Sequence, residues 1–188
     1  STQIQGRASM GGNLCNGSPA ADAVPAMIAA DAVCTIAGPN GRREAKVEDI
    51  VTGPGQTSLA NGEIVVDFLF PARPARSGDA YLRFIPRTEM DIAVVGAGIS
   101  LTLDDAGVCT DARVALGAVA PTQLLLQDGA AALIGSKLDG AAMEKLDAAA
   151  RAACRPITDK RGTIEYRIKV AGVLARRAAK IAQQRAEG

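Results

Sequence analysis

The chain of 188 residues is long enough for one ordinary domain or two small ones, and 48% of its residues are apolar, which suffices for a buried core. Basic residues number 21 and acidic residues 20, so the net charge of +1 argues against a nucleic-acid binder, which usually has a strong basic excess. The sequence contains no His, which excludes a Ser/His/Asp triad, a His general base and a His metal site.

The cysteines and the apolar stretches indicate a protein of the reducing cytoplasm without a membrane span. Cys15, Cys34, Cys109 and Cys154 are too scattered for a metal site, so we interpret them as reduced thiols that serve as small core residues. The longest apolar stretch, 92–103, is shorter than the roughly 20 residues that a bilayer requires. The N-terminal residues contain no apolar signal segment.

The first third of the chain is predicted to alternate helix and strand. Residues 8–18 have the composition of a Gly/Asn/Ser-rich loop, and Ser18-Pro19 has the pattern of an N-cap before a helix that reaches about Asp31. A strand at 33–36 is followed by Asn40-Gly41, a strong hairpin signal, and then by a returning strand at 42–47.

A strand rich in β-branched and aromatic residues, 63–70, is predicted to be buried. Residues 71–78 are rich in Pro and Arg, so we place a boundary there between a region 1–76 and a region 77–188.

The second region is predicted to contain an antiparallel sheet backed by helices. The strands are expected at 80–85, 92–103 and 108–119, and the tight turn at 104–107 makes the last two antiparallel neighbours. Three helices follow, at about 123–134, 141–154 and 163–184. The predicted fold class is therefore α+β: a partial α/β subdomain followed by a three-stranded antiparallel sheet packed on a helical bundle.

The last helix carries several cations, which allow two interpretations. They either form a basic patch for an acidic partner or belong to a solvated face whose cations are favourable near the helix C-terminus, and the second is the commoner pattern. The residues concerned are Arg167, Lys169, Arg176, Arg177, Lys180 and Arg185.

The segment Ser9–Asn13 is the best candidate for chemistry. Gly11 and Gly12 have no Cβ, so backbone N–H groups can approach a bulky ligand, and consecutive amides can bind an anion such as a diphosphate. Ser9 and Asn13 add side-chain donors. An ordinary turn into a helix is the alternative.

Downstream, Asp22 could either complement the helix dipole or bind ligand hydroxyls. A second candidate, 83–92, is either the edge of a cleft or a solvated strand connection.

Four motifs, in order, resemble the flavoprotein (medium) subunits of the molybdenum hydroxylase family, which includes xanthine dehydrogenase and aerobic carbon monoxide dehydrogenase. The segment 8–22, Ala-Ser-Met-Gly-Gly-Asn-Leu-Cys-Asn-Gly-Ser-Pro-Ala-Ala-Asp, is similar to a FAD-contacting motif of that family. The other three are Gly53-Pro54-Gly55-Gln56-Thr57 with Gly62-Glu63-Ile64-Val65, then Arg87-Thr88-Glu89-Met90-Asp91-Ile92-Ala93, and Asp159–Arg167.

The resemblance implies an FAD-dependent oxidoreductase subunit with no catalytic side chain of its own. FAD would receive electrons from 2Fe-2S clusters in a small subunit, which take them from a molybdopterin centre in a large subunit, and would pass them to an acceptor. No nucleic-acid partner is implied.

Residue by residue, the resemblance assigns FAD contacts to nine positions. Ser9, Gly11, Gly12 and Asn13 would hold the phosphates. Asp22 would bind polar groups of the cofactor, and Val65 would contact it through its strand backbone. Arg83 stands where the family often has Lys, and Asp91 and Ile92 stand where the chain approaches the isoalloxazine ring, a position at which some relatives have Tyr.

Family members have further residues upstream, including a first Gly-rich phosphate loop, that have no counterpart before Ser1. The resemblance therefore implies the C-terminal part of such a subunit, either truncated or completed by a companion chain that supplies the N-terminal half of the FAD site. The alternative is a non-catalytic docking or scaffold fragment that does not bind FAD on its own.

Overall fold

The computed structural model describes residues 2–87 and 90–188, which form sixteen short to medium elements. The helices are α1 Thr2–Gln5, α2 Met10–Cys15, α3 Ala23–Ala29, α4 Gln127–Leu133, α5 Gly140–Ala153 and α6 Ile164–Glu187, with one 3₁₀ turn at Val47–Asp49. The strands are β1 Val33–Gly38, β2 Gly41–Lys46, β3 Val51–Gly53, β4 Gln56–Thr57, β5 Ile64–Leu69, β6 Ser77–Phe84, β7 Val95–Leu103, β8 Cys109–Gly117 and β9 Leu124–Leu125.

The first sheet has the order β2-β1-β5 and is antiparallel throughout. The predicted hairpin is confirmed: Gly38 pairs with Gly41, and Gly41 has φ +105°, a conformation that Gly adopts without strain. Cys34 and Ile36 of β1 face inward, onto a hydrophobic cluster around Leu14 of α2 and Ile28 of α3.

The prediction that 63–70 is a buried strand is wrong. β5 is the edge of its sheet, and only Val65 and Phe68 pack partly against the core. The other large apolar side chains of this segment are exposed, by 63% for Ile64, 45% for Val66, 60% for Leu69 and 44% for Phe70. High β propensity and apolar density signal a strand but cannot say whether anything covers it.

The second large sheet has the order β6-β7-β8-β9 and contains the predicted antiparallel pair, β7 and β8. It has four strands where three were predicted. Leu124 and Leu125 pair with Leu116 and Ala115 of β8, so the helix predicted from residue 123 begins only at Gln127. The next two predicted helices are present as α5 and α6.

Helices cover both faces of this sheet because glycines let them approach its backbone. A Cβ on Gly98 would lie 2.6 Å from the carbonyl oxygen of Pro25 in α3, and one on Gly117 would lie 2.6 Å from Cγ of Pro25. On the other side, a Cβ on Gly78 would lie 2.0 Å from the carbonyl oxygen of Ala182 in α6. The buried face of α6 is an alanine stripe that permits this contact.

The start of the chain differs from the prediction in two places. The Gly-rich segment contains the helix α2, with Ser9 as its N-cap. The next helix begins at Ala23 and not at Pro19, because Ser18 forms a turn: its carbonyl accepts the N–H of Ala21 at 3.0 Å and its Oγ that of Ala20 at 3.3 Å.

Arg113 of β8 ties the α3 region to the second sheet. Its Nε donates to the carbonyl of Ile28 at 2.9 Å, and its guanidinium pairs with Glu48 at 2.8 Å and with Asp31 at 3.0 Å.

In the described ranges, no helix is long and apolar enough to cross a membrane.

The cations of α6 do not all belong to one solvated face. Arg167 is 4% exposed and binds protein groups, which neither interpretation of the sequence allowed for. Arg176 Nε lies 3.1 Å from Asp147 Oδ1 of α5, and Arg185 donates to the carbonyl of Asp79 at 2.7 Å.

Candidate functional site

The N-terminus of α2 presents the Gly-Gly pair, and the two glycines have different surroundings. Ser9 is extended, and its Oγ accepts the N–H of Gly12 at 3.0 Å, which leaves its own hydroxyl hydrogen to donate elsewhere. A Cβ on Gly12 would lie 3.0 Å from this Oγ, whereas one on Gly11 would meet nothing within 4 Å. Gly12 therefore makes room for the cap, and Gly11 borders open space.

Asn13 links α2 to α3. Its Oδ1 accepts the N–H of Ala23, the first residue of α3, at 2.9 Å. The predicted phosphate donor is thus also a structural acceptor that fixes one helix start relative to the other. Its side-chain NH₂ group remains as a donor of the kind that the prediction requires.

Asp22 and Arg83, separated by 61 residues in sequence, form an ion pair between the start of α3 and β6. Asp22 makes no side-chain cap for α3, so dipole complementation through a cap hydrogen bond is not its role. Its Oδ1 is buried with no hydrogen-bond partner in the described part of the chain. The structure therefore brings two predicted site residues together, although each neutralises the charge of the other.

Tyr81 lies two residues before Arg83 on the same face of β6, close to this pair. Burial raises the pKa of the Tyr81 phenol, and the carboxylate of Asp22 raises it further while Arg83 opposes the shift. The phenol therefore stays protonated and neutral beside the ion pair at physiological pH.

Asp91 is held by two arginines. Arg161 Nε lies 2.9 Å from its Oδ1 and Arg87 Nε 3.5 Å from its Oδ2, and the Asp91 side chain is 4% exposed. The hydrogen bond from Arg161 holds the pKa of Asp91 below its ordinary value, with further lowering from the N–H of Ile92 and the charge of Arg87. The Ile92 side chain is 53% exposed.

A cavity of about 350 Å³ opens beside Ile92. The turn at Ser18 and Pro19 lines one part of it, and the side chains of Arg161 and Arg167 line another. The cavity thus connects the neighbourhood of Asp91 with the segment between α2 and α3.

Three charged residues that line this cavity, Asp159, Arg161 and Arg167, form a hydrogen-bonded cluster that sequence reasoning missed. Arg167 donates to the carbonyl of Val94 at 3.0 Å and to Asp159 Oδ1 at 2.8 Å, and the N–H of Arg161 donates to the same Asp159 oxygen at 2.8 Å. The sequence shows only an acid, Asp159, and a base, Arg161, two residues apart and just before Thr163, the N-cap of α6. That spacing alone does not distinguish a turn whose charges are solvated from one whose charges bind other groups of the protein.

Val65 lies apart from these charged groups, on β5. Its side chain packs partly against the cluster that contains Leu14 of α2, and it pairs with Ile36 across the sheet. Thr88 and Glu89, which belong to the motif around Asp91, lie outside the described residues.

Cysteines and carboxylates form no metal centre within residues 2–87 and 90–188: no cluster of three potential ligands is present there. All four cysteines are free thiols; Cys15 is exposed and the other three are buried. Burial raises the pKa of Cys109 and of Cys154 to about 11, so these two thiols remain protonated.

Two family models match the chain, one after the other. The FAD binding domain in molybdopterin dehydrogenase matches residues 1–73, and the CO dehydrogenase flavoprotein C-terminal domain matches residues 80–182.

Curated relatives agree with these models. The carbon monoxide dehydrogenase medium chain of Afipia carboxidovorans is 35% identical over 185 residues, which are 98% of this chain and 64% of the relative. The putative xanthine dehydrogenase FAD-binding subunit XdhB of Escherichia coli is 32% identical over 167 residues, 88% of this chain and 57% of the relative. The chain thus spans less than two thirds of the length of these relatives.

Solved structures give the same result. CO dehydrogenase from Oligotropha carboxidovorans superimposes with a TM-score of 0.93 at 34% identity, and that from Hydrogenophaga pseudoflava with 0.94 at 32%; each match covers 98% of this chain and 64% of the other. The family inferred from the four sequence motifs is therefore confirmed. The chain belongs to the family of FAD-binding medium subunits of the molybdenum hydroxylases, and it corresponds to part of such a subunit.

Proposed function

We propose that this chain holds FAD as part of the flavoprotein subunit of a molybdenum hydroxylase, where it takes electrons from 2Fe-2S clusters and passes them to an acceptor. The observation that carries the proposal is the likeness of nearly the whole chain, 98% of it at a TM-score of 0.93, to a subunit of CO dehydrogenase. The FAD binding domain model over residues 1–73 supports the same cofactor.

The N-terminus of α2 fits the diphosphate of FAD. The first N–H groups of a helix have no acceptor within the helix and carry partial positive charge, which suits an anion. Ser9 caps Gly12 and keeps its hydroxyl hydrogen, Gly11 borders open space, and Asn13 offers its NH₂ group. We assign Ser9, Gly11, Gly12 and Asn13 to phosphate binding.

Asp22 and Arg83 would act on the cofactor as one neutral, polar unit. An arginine whose charge is matched by a carboxylate donates hydrogen bonds without leaving a bare cation in the site. Because the pair joins α3 to β6, it also fixes the distance between the two parts of the chain that would contact FAD. FAD bound there would supply the redox chemistry, while these residues bind and orient it.

Asp91 and Ile92 would shape the surroundings of the isoalloxazine ring. The two arginines keep Asp91 ionised and fixed, and the N–H of Ile92 donates to Asp91 at 2.9 Å. Ile92 would then shield the ring from water. Val65, on β5, would contact FAD through its backbone.

We also propose that region 1–76 is the second half of the FAD domain and that region 77–188 is the C-terminal domain.

The partners follow from the family. We propose a large molybdopterin subunit, a small iron–sulfur subunit, and a polypeptide that supplies the rest of the FAD site, since about a third of the CO dehydrogenase medium chain lies outside the match. Four free thiols suit a complex of the cytoplasm.

The test is a titration with FAD, followed by flavin fluorescence. It uses the chain together with the unmatched third of the Afipia carboxidovorans medium chain. We expect Gly11→Val to weaken binding about tenfold or more, because its side chain would enter the space that the phosphates need. Gly140→Val is the matched control, since Gly140 also begins a helix beside open space. Equal affinity of the two variants, or no binding by the wild type, would contradict the proposal.

A second candidate is a docking or scaffold piece that binds no FAD. This candidate is favoured because the predicted ligand groups already have partners within the chain. Asp22 is paired with Arg83, and Asp91 is paired with Arg161. A colourless preparation that stays folded and binds the other subunits would support this candidate, whereas a yellow preparation with flavin absorbance would exclude it.

A further inference from the structure

The phenol of Tyr81 lies on the side of the second sheet that α3 covers. Tyr81 pairs with Gly98 of β7, and a Cβ on Gly98 would lie 2.6 Å from the carbonyl oxygen of Pro25, so both residues face α3. A Cβ on Gly96, two residues before Gly98, would lie 2.8 Å from the Tyr81 hydroxyl. The hydroxyl therefore lies against the backbone of Gly96, where a larger residue would displace it.

Gly96 belongs to a row of paired residues that crosses three strands toward the start of α3. Its partners are Arg83 in β6 and Gly117 in β8. Pro25 covers the far end of the row, since a Cβ on Gly117 would lie 2.6 Å from its Cγ. Asp22 precedes Pro25 by three residues, and residues three apart lie on the same side of a helix. The hydroxyl above Gly96 is therefore between the arginine and the helix start that carries the aspartate.

The two carboxylate oxygens of Asp22 have different surroundings. Oδ2 pairs with Arg83, whereas Oδ1 is buried and has no hydrogen-bond partner in the described part of the chain. The Tyr81 hydroxyl likewise forms no hydrogen bond to a described residue. Burial raises the pKa of the Tyr81 phenol, and the charge of Asp22 raises it further because the groups are close together. A buried carboxylate oxygen thus lacks a donor beside a phenol that has one to give.

We propose that Tyr81 is a positioning residue of the FAD site, whose hydroxyl donates to Asp22 Oδ1 through one bridging water molecule. Such a water satisfies a buried donor and a buried acceptor that do not touch each other. With Arg83 bound to Oδ2 and Tyr81 to Oδ1, the carboxylate is fixed in one orientation toward the cofactor. The proposal rests on the proposed function in that Asp22 is assigned to polar groups of FAD.

A phenol suits this position better than a second cation. The Asp22–Arg83 pair has no net charge, and a neutral donor keeps it so, whereas a lysine or arginine at residue 81 would leave an unmatched positive charge beside the cofactor. Tyr81 and Arg83 alternate on one strand and therefore point to the same side of the sheet. β6 thus supplies both donors, and α3 supplies the acceptor that they hold.

A double-mutant cycle on FAD affinity tests whether Tyr81 acts through Asp22. It uses the chain together with the unmatched third of the Afipia carboxidovorans medium chain and follows flavin fluorescence. We expect Tyr81→Phe to weaken FAD binding about fivefold, because one hydrogen bond to a charged group is lost. In an Asp22→Ala background the same substitution should have no effect, since the group that Tyr81 orients is gone.

The same cycle is measured without FAD, by urea denaturation of the 188-residue chain. Tyr81→Phe should raise the unfolding equilibrium constant about fivefold in the wild type and should not raise it in the Asp22→Ala background. A role of the hydroxyl in packing alone would give the same factor in both backgrounds. The matched control is Tyr166→Phe, which removes the hydroxyl of a half-exposed tyrosine and should change neither quantity.

Equal effects of Tyr81→Phe in the two backgrounds, or equal behaviour of Tyr81→Phe and Tyr166→Phe, would overturn the proposal. If the wild type binds no FAD, the proposed function fails, and the urea cycle still decides whether Tyr81 and Asp22 are coupled. If the wild type binds FAD and the urea cycle shows no coupling, the proposed function stands and the role of Tyr81 is rejected.

Discussion

At the scale of single residues, the candidate site is governed by pairs of opposite charge that are far apart in sequence. Asp22 meets Arg83 and Asp91 meets Arg161, although 61 and 70 residues separate the partners. Each pair joins two segments that are distant in sequence and holds a charged group in a fixed orientation, which a long side chain in water does not keep.

The Asp91–Arg161 pair predicts a pH dependence of stability. Arg161 lowers the pKa of Asp91 from its ordinary 3.8, so the pair stabilises the fold fully above that value and loses its effect as the pH falls through the lower, folded pKa. We expect Arg161→Gln to raise the pKa of Asp91 part of the way back, since Arg87 remains nearby.

The melting temperature of Arg161→Gln should therefore lie below that of the wild type at neutral pH, and the difference should shrink below about pH 4. Thermal denaturation at several pH values, with a carboxyl titration by NMR, measures both effects. Arg42→Gln is the control, because Arg42 is exposed on β2 and should show no such difference. A difference that does not change with pH would contradict this role of the pair.

At the scale of elements, helix and sheet meet through glycines and alanines. Gly78 of β6 and the alanine stripe of α6 allow backbones to approach where larger side chains would keep them apart. On the opposite face of the sheet, the absence of a Cβ on Gly98 and Gly117 likewise lets Pro25 of α3 pack against the strands.

Gly78→Ala should destabilise the fold by about 1–3 kcal/mol or more, because the new Cβ would lie 2.0 Å from a carbonyl oxygen and 2.7 Å from the N of Ala186. Both atoms belong to the backbone of α6 and cannot move alone. Urea denaturation measures the loss. Gly140→Ala, at the open start of α5, is the control and should be neutral or stabilising by about 0.5 kcal/mol. Equal stability of the two variants would show that α6 packs less closely on β6.

Local patterns predicted the elements that depend on local chemistry. The Asn40-Gly41 hairpin and the β7–β8 pair follow from turn residues that few other structures accommodate. α2 was missed because two adjacent glycines each disfavour a helix by about 1 kcal/mol, a cost that the Ser9 cap and the burial of Leu14 offset. β9 was missed because its pairing with β8 is a tertiary contact.

The site was predicted less completely than the fold. The resemblance pointed to Asp22 and Arg83 separately, but only the structure shows that they touch. Arg167 gave no signal, since a buried arginine and a solvated one have the same sequence pattern on a helix, and only its acceptors at Val94 and Asp159 distinguish them. The exposure of β5 depends on what covers it, which its own residues do not encode.

At the scale of the whole molecule, the two regions that the family models match pack against each other. α3, from the first, covers one face of the β6-β7-β8-β9 sheet, and Ala115 of β8 belongs to the hydrophobic cluster of the first region. Arg113 adds contacts to Ile28, Asp31 and Glu48. The regions are therefore expected to unfold together, in one cooperative transition.

Residues 77–188 alone should consequently be less stable than the full chain. Removing α3 would expose the sheet face at Gly98 and Gly117 and leave Arg113 without its acceptors. We expect a lower melting temperature and increased binding of a hydrophobic dye by the shorter chain. A shorter chain with the melting temperature of the full chain and no added dye binding would show that the two regions are independent.

The unequal accessibility of the cysteines has a practical consequence. Cys15 ends α2 at the surface, whereas Cys34, Cys109 and Cys154 are enclosed by the folded chain. A maleimide fluorophore should therefore attach to the native protein at one position, one helical turn from Gly11 and Gly12, without any engineered mutation. Such a label would report optically on whatever approaches this helix.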